Sequence, residues 1–168
     1  MISLIDIGIS NIGSLSNALK RLGADFNITT DIKKISSSEG IIIPGVGSFY
    51  DGMKSLENLN LVSGLKEISN SGIPILGICL GMQLLANSSE EFGMHIGLGL
   101  VPGEVKKLIN TKKSRVPNIG WQDIYITKGN NLFSDINNGS SFYFVHSYAV
   151  QFNEHIDCLG YIRHGTNN

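Results

Sequence analysis

The chain has 168 residues, of which 42% are hydrophobic and 16% are charged. This length and composition predict one globular domain over residues 1–168. The 13 basic and 14 acidic residues give a net charge of -1, which favours neither nucleic acid nor a membrane surface as a partner. Two cysteines make no disulfide framework, and neither a signal peptide nor a membrane-spanning apolar run is evident. We therefore expect a cytoplasmic protein.

The first half of the chain alternates apolar strands with amphipathic helices. Strands are predicted at residues 2–8, 24–31, 40–49 and 73–78, and helices at residues 11–23, 55–72 and 82–90. The strands are apolar throughout rather than at every second position, which is typical of sheets covered on both faces. The sequence therefore predicts an α/β fold with a layered, mostly parallel central sheet flanked by helices.

The second half of the chain has a different pattern of apolar and polar residues. Apolar and aromatic runs separated by polar turns predict further strands within residues 99–109, 121–127, 141–152 and 156–164. No segment after residue 91 has a pattern of helical length. We expect extra β-strands in this half.

Cys79 lies in the segment Gly77-Ile78-Cys79-Leu80-Gly81, between a predicted strand and a predicted helix. The form G-x-C-x-G at such a junction is that of a nucleophile elbow with cysteine in place of serine. The next helix would point its N-terminus at the sulfur, and the backbone N–H of Leu80 would be one oxyanion donor. The alternative is a buried structural cysteine, which is how we interpret Cys158.

A second glycine-rich turn, Pro44-Gly45-Val46-Gly47, ends another predicted strand. Its glycines would let the backbone present an N–H group to a developing oxyanion. A plain turn is an equally good interpretation of this motif alone. A phosphate-binding loop is disfavoured, since the segment is not G-x-G-x-x-G and lacks the P-loop lysine.

Five segments together carry a resemblance to a known family: IDIGISNIGSL, IPGVGSFYDGM, GIPILGICLGMQLL, VPNIGWQ and FYFVHSY. The chain resembles the class I, triad-type glutamine amidotransferases, and within them the glutaminase subunits of imidazole glycerol phosphate synthase. The resemblance runs from residue 2 to about residue 166. It implies a flavodoxin-like sheet and an enzyme that needs no cofactor or metal.

The resemblance also implies a reaction. Cys79 would attack the carboxamide of L-glutamine, ammonia would leave for a cyclase partner in a heterodimer, and water would release glutamate. The ammonia would serve histidine biosynthesis. The implied site residues are oxyanion donors at Val46 or Gly47 and at Leu80, substrate contacts at Gln83, Ser147 and Tyr148, and partner contacts at Asn118 and Trp121.

The histidine base of this chemistry is not evident in the sequence. The family carries it in a strand of the form H-P-E, yet none of His95, His146, His155 and His164 precedes Pro-Glu. The resemblance places His146 in the glutamine-binding segment, where it is not the base. We expect the H-P-E strand and a final helix to lie beyond residue 168, and we expect impaired glutaminase activity from these 168 residues.

Three further functions stay open. The chain could serve a sugar amidotransferase in surface-polysaccharide synthesis, or dock onto a synthase through the Trp121 loop without catalysis. A cysteine hydrolase with a related elbow is a weaker alternative, because it too needs a base. Trp121, the only tryptophan, is equally well interpreted as a core residue if the resemblance is set aside.

Overall fold

The computed structural model describes residues 1–112, 114–129, 131–152 and 158–165. The chain divides into two compact units, Met1–Glu104 and Val105–Asn168, and each is described by itself. The expectation of one domain stays a prediction. None of the helices in the described part of the chain is long and apolar enough to cross a bilayer.

The first unit is built on a four-stranded parallel sheet with the strand order β2-β1-β3-β4. Its strands are β1 (Ile2–Leu4), β2 (Phe26–Ile28), β3 (Gly40–Gly45) and β4 (Ile75–Cys79). The predicted α/β class with a mostly parallel central sheet is confirmed. The register pairs Gly45, the last residue of β3, with Cys79, the last residue of β4. The two glycine-rich turns of the sequence therefore begin side by side at the carboxyl edge of the sheet.

Five helices accompany this sheet: α1 (Ile12–Arg21), α2 (Ile32–Ser36), α3 (Phe49–Asn58), α4 (Val62–Asn70) and α5 (Leu80–Leu84). Three of them begin at a residue whose side chain accepts a hydrogen bond from the first helical turn, namely Asn11, Asp31 and Ser48. Such caps satisfy backbone N–H groups that have no partner inside the helix. They fix where the chain turns from strand into helix.

Apolar packing holds α1 on the sheet. Leu19 of α1 is buried against Leu4 of β1 and Ile42 of β3, with Ile12 and Leu15 packed around them. Each fully buried aliphatic side chain of this kind contributes about 1.5–3 kcal/mol. This packing sets α1 beside the carboxyl ends of β3 and β4.

Two predicted helices end earlier than their sequence pattern indicated. The predicted helix at 55–72 is two helices, α3 and α4, and Asn60 between them has a positive φ of 54°. The predicted helix at 82–90 stops at Leu84, and Ala86–Ser89 forms strand β5. β5 pairs with β6 (His95–Ile96) and neighbours β7 (Val101–Lys107). Tertiary pairing of β5 outweighed the helical pattern, since Asn87, Ser88 and Ser89 have low helix propensity.

Strand β4 is less covered than its apolar sequence led us to expect. In the described part of the sheet it pairs with β3 alone. Leu76 and Ile78 keep 41% and 36% of their surface exposed. An all-apolar strand was expected to be buried on both faces, and β4 is not.

The second unit is rich in β-structure, which confirms the extra strands predicted for this half. β8 (Asn118–Asp123) and β10 (Ser141–His146) form an antiparallel pair, and β9 (Tyr125–Ile126) pairs with β12 (Gly160–Tyr161). β11 (Tyr148–Gln151) neighbours β7. The described helical structure here is a single 3₁₀ turn at Asn131–Phe133.

Candidate active site

Cys79 occupies a strained turn between β4 and α5. Its backbone dihedrals are φ 56° and ψ -118°, and it is the residue that immediately precedes the first helical residue, Leu80. A non-glycine residue at positive φ costs about 1–3 kcal/mol and persists only where its surroundings impose it. The side chain is exposed to solvent. This is the geometry of a nucleophile elbow, and it differs from that of a buried structural cysteine.

The two glycines that flank Cys79 make the turn sterically possible. A Cβ atom on Gly81 would overlap the carbonyl oxygen of Ile43 in β3. A Cβ atom on Gly77 would lie 2.6 Å from the carbonyl oxygen of Gly81 and from the backbone nitrogen of Met82. Backbone atoms cannot move aside as a flexible side chain can. The close approach of α5 to β3 therefore requires glycine at position 81, and its close approach to β4 requires glycine at position 77.

The turn that faces Cys79 is the segment Pro44–Gly47, which we call the PGVG loop. Its place follows directly from the pairing of Gly45 with Cys79. Gly47 has φ 104°, a conformation that L side chains rarely adopt, and a Cβ there would meet open space. The glycine is thus required by the backbone conformation rather than by packing.

The predicted oxyanion donors differ in their present hydrogen bonds. The N–H of Val46 donates to the carbonyl oxygen of Ile9 at 2.8 Å, so it can serve a substrate only if that bond is exchanged. The N–H of Leu80 belongs to the first residue of α5, where helix geometry provides no intrahelical acceptor. Leu80 thereby offers a donor directly beside the sulfur, and its own side chain is buried.

A hollow of about 320 Å³ opens beside Cys79, between the start of α1 and the ends of β3 and β4. Pockets for small molecules begin at about this size. Most of its wall is apolar, with two polar residues, Asn11 and Ser14, from α1 and its N-cap. The sequence pattern did not single these two out, although an asparagine immediately before a helical pattern is a recognisable N-cap signal. The described residues of this wall include no histidine and no carboxylate.

Gln83 lies on α5, four residues after Cys79. It is the fourth residue of this short helix, whose first residue follows the nucleophile directly. The side chain is half-buried. Its predicted role as a substrate contact stays a prediction.

In the second unit, Asn118, His146 and Tyr148 form one hydrogen-bonded network. The carbonyl oxygen of Tyr148 lies 3.0 Å from Nδ1 of His146, and Nδ2 of Asn118 lies 3.0 Å from Nε2 of the same ring. A carbonyl accepts and an amide nitrogen donates, so the neutral ring carries its proton on Nδ1. Both ring nitrogens are occupied, which agrees with the expectation that His146 is not the base.

Burial of the imidazole lowers the pKa of His146, the hydrogen bond to Tyr148 raises it, and the charge of His164 lowers it further. The net direction is down from the usual value. The fold therefore favours the neutral ring that bridges Asn118 and Tyr148. Because that ring holds the Tyr148 carbonyl, it fixes the backbone of Ser147 and Tyr148, the two predicted substrate contacts.

Trp121 and Asn118 lie on opposite faces of the β8–β10 pair. Trp121 is 70% exposed and packs edge-on against Tyr143, with ring centroids 5.8 Å apart. Ile119 and Val145, which oppose each other in the register, share that face and are also exposed. We call these four residues the Trp121 face. Asn118 is 7% exposed, so the two predicted partner contacts have different environments.

The remaining histidines and the second cysteine show no nucleophilic or basic arrangement in the part of the chain that the structure describes. His95 packs against Tyr50, and His164 has a buried Nε2. Neither of these Nε2 atoms has a hydrogen-bond partner among the described residues. The Cys158 thiol donates to the carbonyl oxygen of Gly160. His155 lies outside the described residues.

Comparison with known proteins identifies the family. Residues 3–167 match the family described as glutamine amidotransferase class-I. The chain belongs to the class I glutamine amidotransferases. The resemblance noted in the sequence is confirmed, and the strained cysteine lies where this family's elbow motif predicted a nucleophile.

Individual relatives are similar over most of the chain. It is 44% identical to the imidazole glycerol phosphate synthase subunit HisH of Moorella thermoacetica over 149 residues, which are 89% of this chain and 70% of the relative. It is 45% identical to the HisH subunit of Bacillus cereus over 158 residues, 94% of this chain and 75% of the relative.

Solved structures support the same fold. A crystal structure described as a glutamine amidotransferase superposes with a TM-score of 0.72 at 15% identity, covering 98% of this chain and 85% of the other. The PurLQS structure from Thermotoga maritima gives a TM-score of 0.67 at 16% identity, covering 99% of this chain and 76% of the other. At these identities the match concerns the fold alone.

Replacing Gly81 by alanine tests the steric argument for the elbow. We expect Gly81→Ala to lower the free energy of unfolding by about 1–3 kcal/mol or more, because the new Cβ displaces the backbone of β3. Gly13→Ala is the matched control, since a Cβ at Gly13 in α1 meets nothing within 4 Å, and we expect a gain of up to about 1 kcal/mol. Urea unfolding measures both. Equal effects at the two glycines would contradict the argument.

The lowered pKa of His146 predicts a loss of stability in acid. The unfolded chain binds a proton at this histidine near pH 6.5, while the folded chain does so only at lower pH. Stability from the neutral ring is thus present above about pH 6.5 and lost as the pH falls through the folded pKa. Urea midpoints between pH 7.5 and 5 should fall less for His146→Gln than for the unsubstituted chain. If the urea midpoints of both proteins fall equally with pH, His146 does not contribute to the loss of stability in acid.

Proposed function

We propose that the chain is the glutaminase subunit of imidazole glycerol phosphate synthase. It would hydrolyse L-glutamine to glutamate and ammonia for a cyclase subunit in histidine biosynthesis, as half of a cytoplasmic heterodimer and without cofactor or metal. The observation that carries this proposal is the exposed Cys79 at positive φ, opposite the PGVG loop. The identity of 44–45% with HisH subunits favours this member of the family.

In the first step, Sγ of Cys79 attacks the carboxamide carbon of glutamine. A C–S bond forms, and the carbonyl electron pair moves onto the oxygen. The N–H groups of Leu80 and Gly47 hold this oxyanion, and that of Val46 joins them only by leaving Ile9. One such donor is worth roughly 100- to 1,000-fold in rate.

In the second step, the C–N bond breaks, the nitrogen takes up through solvent the proton that the Cys79 thiol gave up on attack, and ammonia leaves. The glutamyl thioester on Cys79 is then hydrolysed by water to glutamate and the free thiol. Amide nitrogen leaves poorly without a proton donor. Since the described wall of the hollow carries no histidine or carboxylate, we propose that these 168 residues form the thioester from activated esters more readily than from glutamine.

The family resemblance assigns the amino-acid end of glutamine to Gln83, Ser147 and Tyr148, and we keep these assignments as proposals. Gln83, on the helix that follows Cys79, would offer its side-chain amide. The backbone of Ser147 and Tyr148, fixed by the His146 ring, offers a preset set of polar groups. Preset groups bind without the entropic cost of ordering them.

The cyclase would dock on the Trp121 face. Tryptophan and tyrosine are enriched among the residues that dominate binding energy at interfaces. Here both are exposed, in edge-on contact and flanked by exposed aliphatic residues of the same sheet face. Asn118, buried and bonded to His146, would support the sheet beneath this face.

A glutamine-mimicking electrophile tests the role of Cys79. We expect a chloroketone analogue of L-glutamine to alkylate Cys79 and leave Cys158 unlabelled, because Cys79 combines an exposed thiol with an adjacent hollow. L-glutamine should slow the labelling and D-glutamine should not. Mass spectrometry of the digested protein measures both sites, with Cys79→Ala as the control. Equal labelling of the two cysteines, or no protection by L-glutamine, would contradict the proposal.

Substitution of Trp121 tests the docking surface. We expect Trp121→Ala to weaken binding to a cyclase subunit about thirtyfold, or ~2 kcal/mol. Phe142→Ala, on the opposite face of the same strand pair, is the matched control and should change affinity little. Calorimetric titration measures both. Unchanged binding by Trp121→Ala would contradict the proposal that the cyclase docks on the Trp121 face. Binding that depends on Trp121, together with no labelling of Cys79, would instead favour a non-catalytic docking module.

A further inference from the structure

We propose that Asn138 is a site of spontaneous deamidation, and that the hydrogen bonds of its turn restrain this reaction in the folded chain. Asn138 and Gly139 form the only Asn-Gly pair in the sequence. They lie in the turn that leads into β10. The inference concerns a covalent modification remote from the elbow in sequence, and it does not depend on the proposed function.

An asparagine that precedes glycine can hydrolyse its own side-chain amide. The backbone nitrogen of Gly139 attacks Cγ of Asn138 and loses its proton to solvent. The C–N bond of the side-chain amide then breaks, and that nitrogen takes up a proton and leaves as ammonia. Water opens the resulting succinimide at Cγ to give aspartate, or at the backbone carbonyl carbon to give isoaspartate. Attack within one chain is efficient once the geometry allows it, and glycine has no side chain to hinder the approach.

The turn presents this pair to water. Asn138 and Gly139 are both exposed. The N–H of Ser140 donates to the carbonyl oxygen of Asn137 at 3.0 Å, and Gly139 has φ 86° whereas Asn138 does not have a positive φ. This combination is that of a type II turn, which needs glycine or asparagine at its third position. The turn geometry therefore keeps glycine directly after Asn138, and water can reach the succinimide wherever it forms.

Both reacting groups are held by hydrogen bonds in the folded chain. The N–H of Gly139, whose nitrogen is the nucleophile, donates to the carbonyl oxygen of Ile124 at 2.9 Å. Oδ1 of Asn138, on the carbon under attack, accepts from the N–H of Ile126 at 2.7 Å. Ring closure requires the nitrogen to leave its acceptor and the side chain to rotate toward it. The folded turn therefore opposes the reaction, although the pair is exposed.

These two bonds continue the ladder of the β8–β10 pair. The N–H of Ile124 also donates to the carbonyl oxygen of Ser140 at 3.0 Å, directly beyond the last residue pair of the two strands. For Ile126, the side-chain oxygen of Asn138 takes the place of a backbone carbonyl. Deamidation thus requires the end of this ladder to open. Its rate is set by the free energy of that local opening.

The two products have different consequences for the ladder. Aspartate keeps an oxygen acceptor for the Ile126 N–H. Isoaspartate places an additional methylene group in the backbone, which shifts the residues before it relative to their partners. Register in a strand pair is sensitive to such shifts. Because β10 carries Tyr143 and His146, we expect the isoaspartate form to unfold at a lower urea concentration than the unmodified chain.

Incubation in heavy-oxygen water tests the proposal. The chain is kept folded, or unfolded in urea, in the same mildly alkaline buffer, and the digested protein is analysed by mass spectrometry. We expect incorporation of heavy oxygen at Asn138 to be about tenfold or more slower in the folded chain. Asn70, which is also exposed but precedes serine, is the internal reference and should react more slowly than Asn138 in urea. Asn138→Gln should abolish incorporation in that peptide.

Equal rates in the folded and the unfolded chain would overturn the restraint, and faster incorporation at Asn70 than at Asn138 in urea would overturn the site. A second measurement does not depend on the modification. Hydrogen exchange of the Gly139 amide in the folded chain should be slowed about tenfold or more relative to the unfolded chain. Exchange of this amide at the unfolded rate would show that the bond to Ile124 does not restrain the nitrogen.

Discussion

The positive φ of Cys79 is the constraint on which the rest of the site depends. It turns the chain from β4 into α5 within one residue and leaves the sulfur exposed at the end of the strand. The cost of this conformation is offset by the packing of Leu80 and Leu84, both buried. It is sterically allowed only because Gly77 and Gly81 carry no side chain. Parallel pairing with β3 then brings the PGVG loop to the same edge.

The elbow could be predicted from the sequence because its cause is local. Glycine on both sides of a cysteine, at a junction of strand and helix, strongly favours a nucleophile elbow over a buried cysteine, and the family resemblance agreed with it. The parallel sheet was also predictable, since apolar runs and helical periodicity depend on short stretches of chain. The cap residue Asp31 signals the short helix α2, which the predicted strand over residues 24–31 overlooks.

Other features depend on distant parts of the chain and had no local signal. Residues 86–89 follow a helical pattern and form a strand because β6 and β7 offer them partners. A hydrogen bond from the backbone N–H of Phe49 to the carboxylate of Glu91 joins residues 42 apart in sequence. By contrast, the opposite environments of Asn118 and Trp121 could have been predicted, since residues three apart on a strand point to opposite faces. The family resemblance assigned both residues to the partner interface, whereas strand geometry places their side chains on opposite faces of the sheet.

The central claim is that the folded backbone makes Cys79 an acyl acceptor, and one comparison tests it most directly. The rate at which an activated γ-glutamyl ester acylates Cys79 should be measured for the folded chain and for the same chain in urea. Folding should accelerate acylation of Cys79 by about 100-fold or more, since only the folded state presents preset oxyanion donors, and should not accelerate that of Cys158. Faster acylation of Cys79 in the unfolded chain would contradict the account.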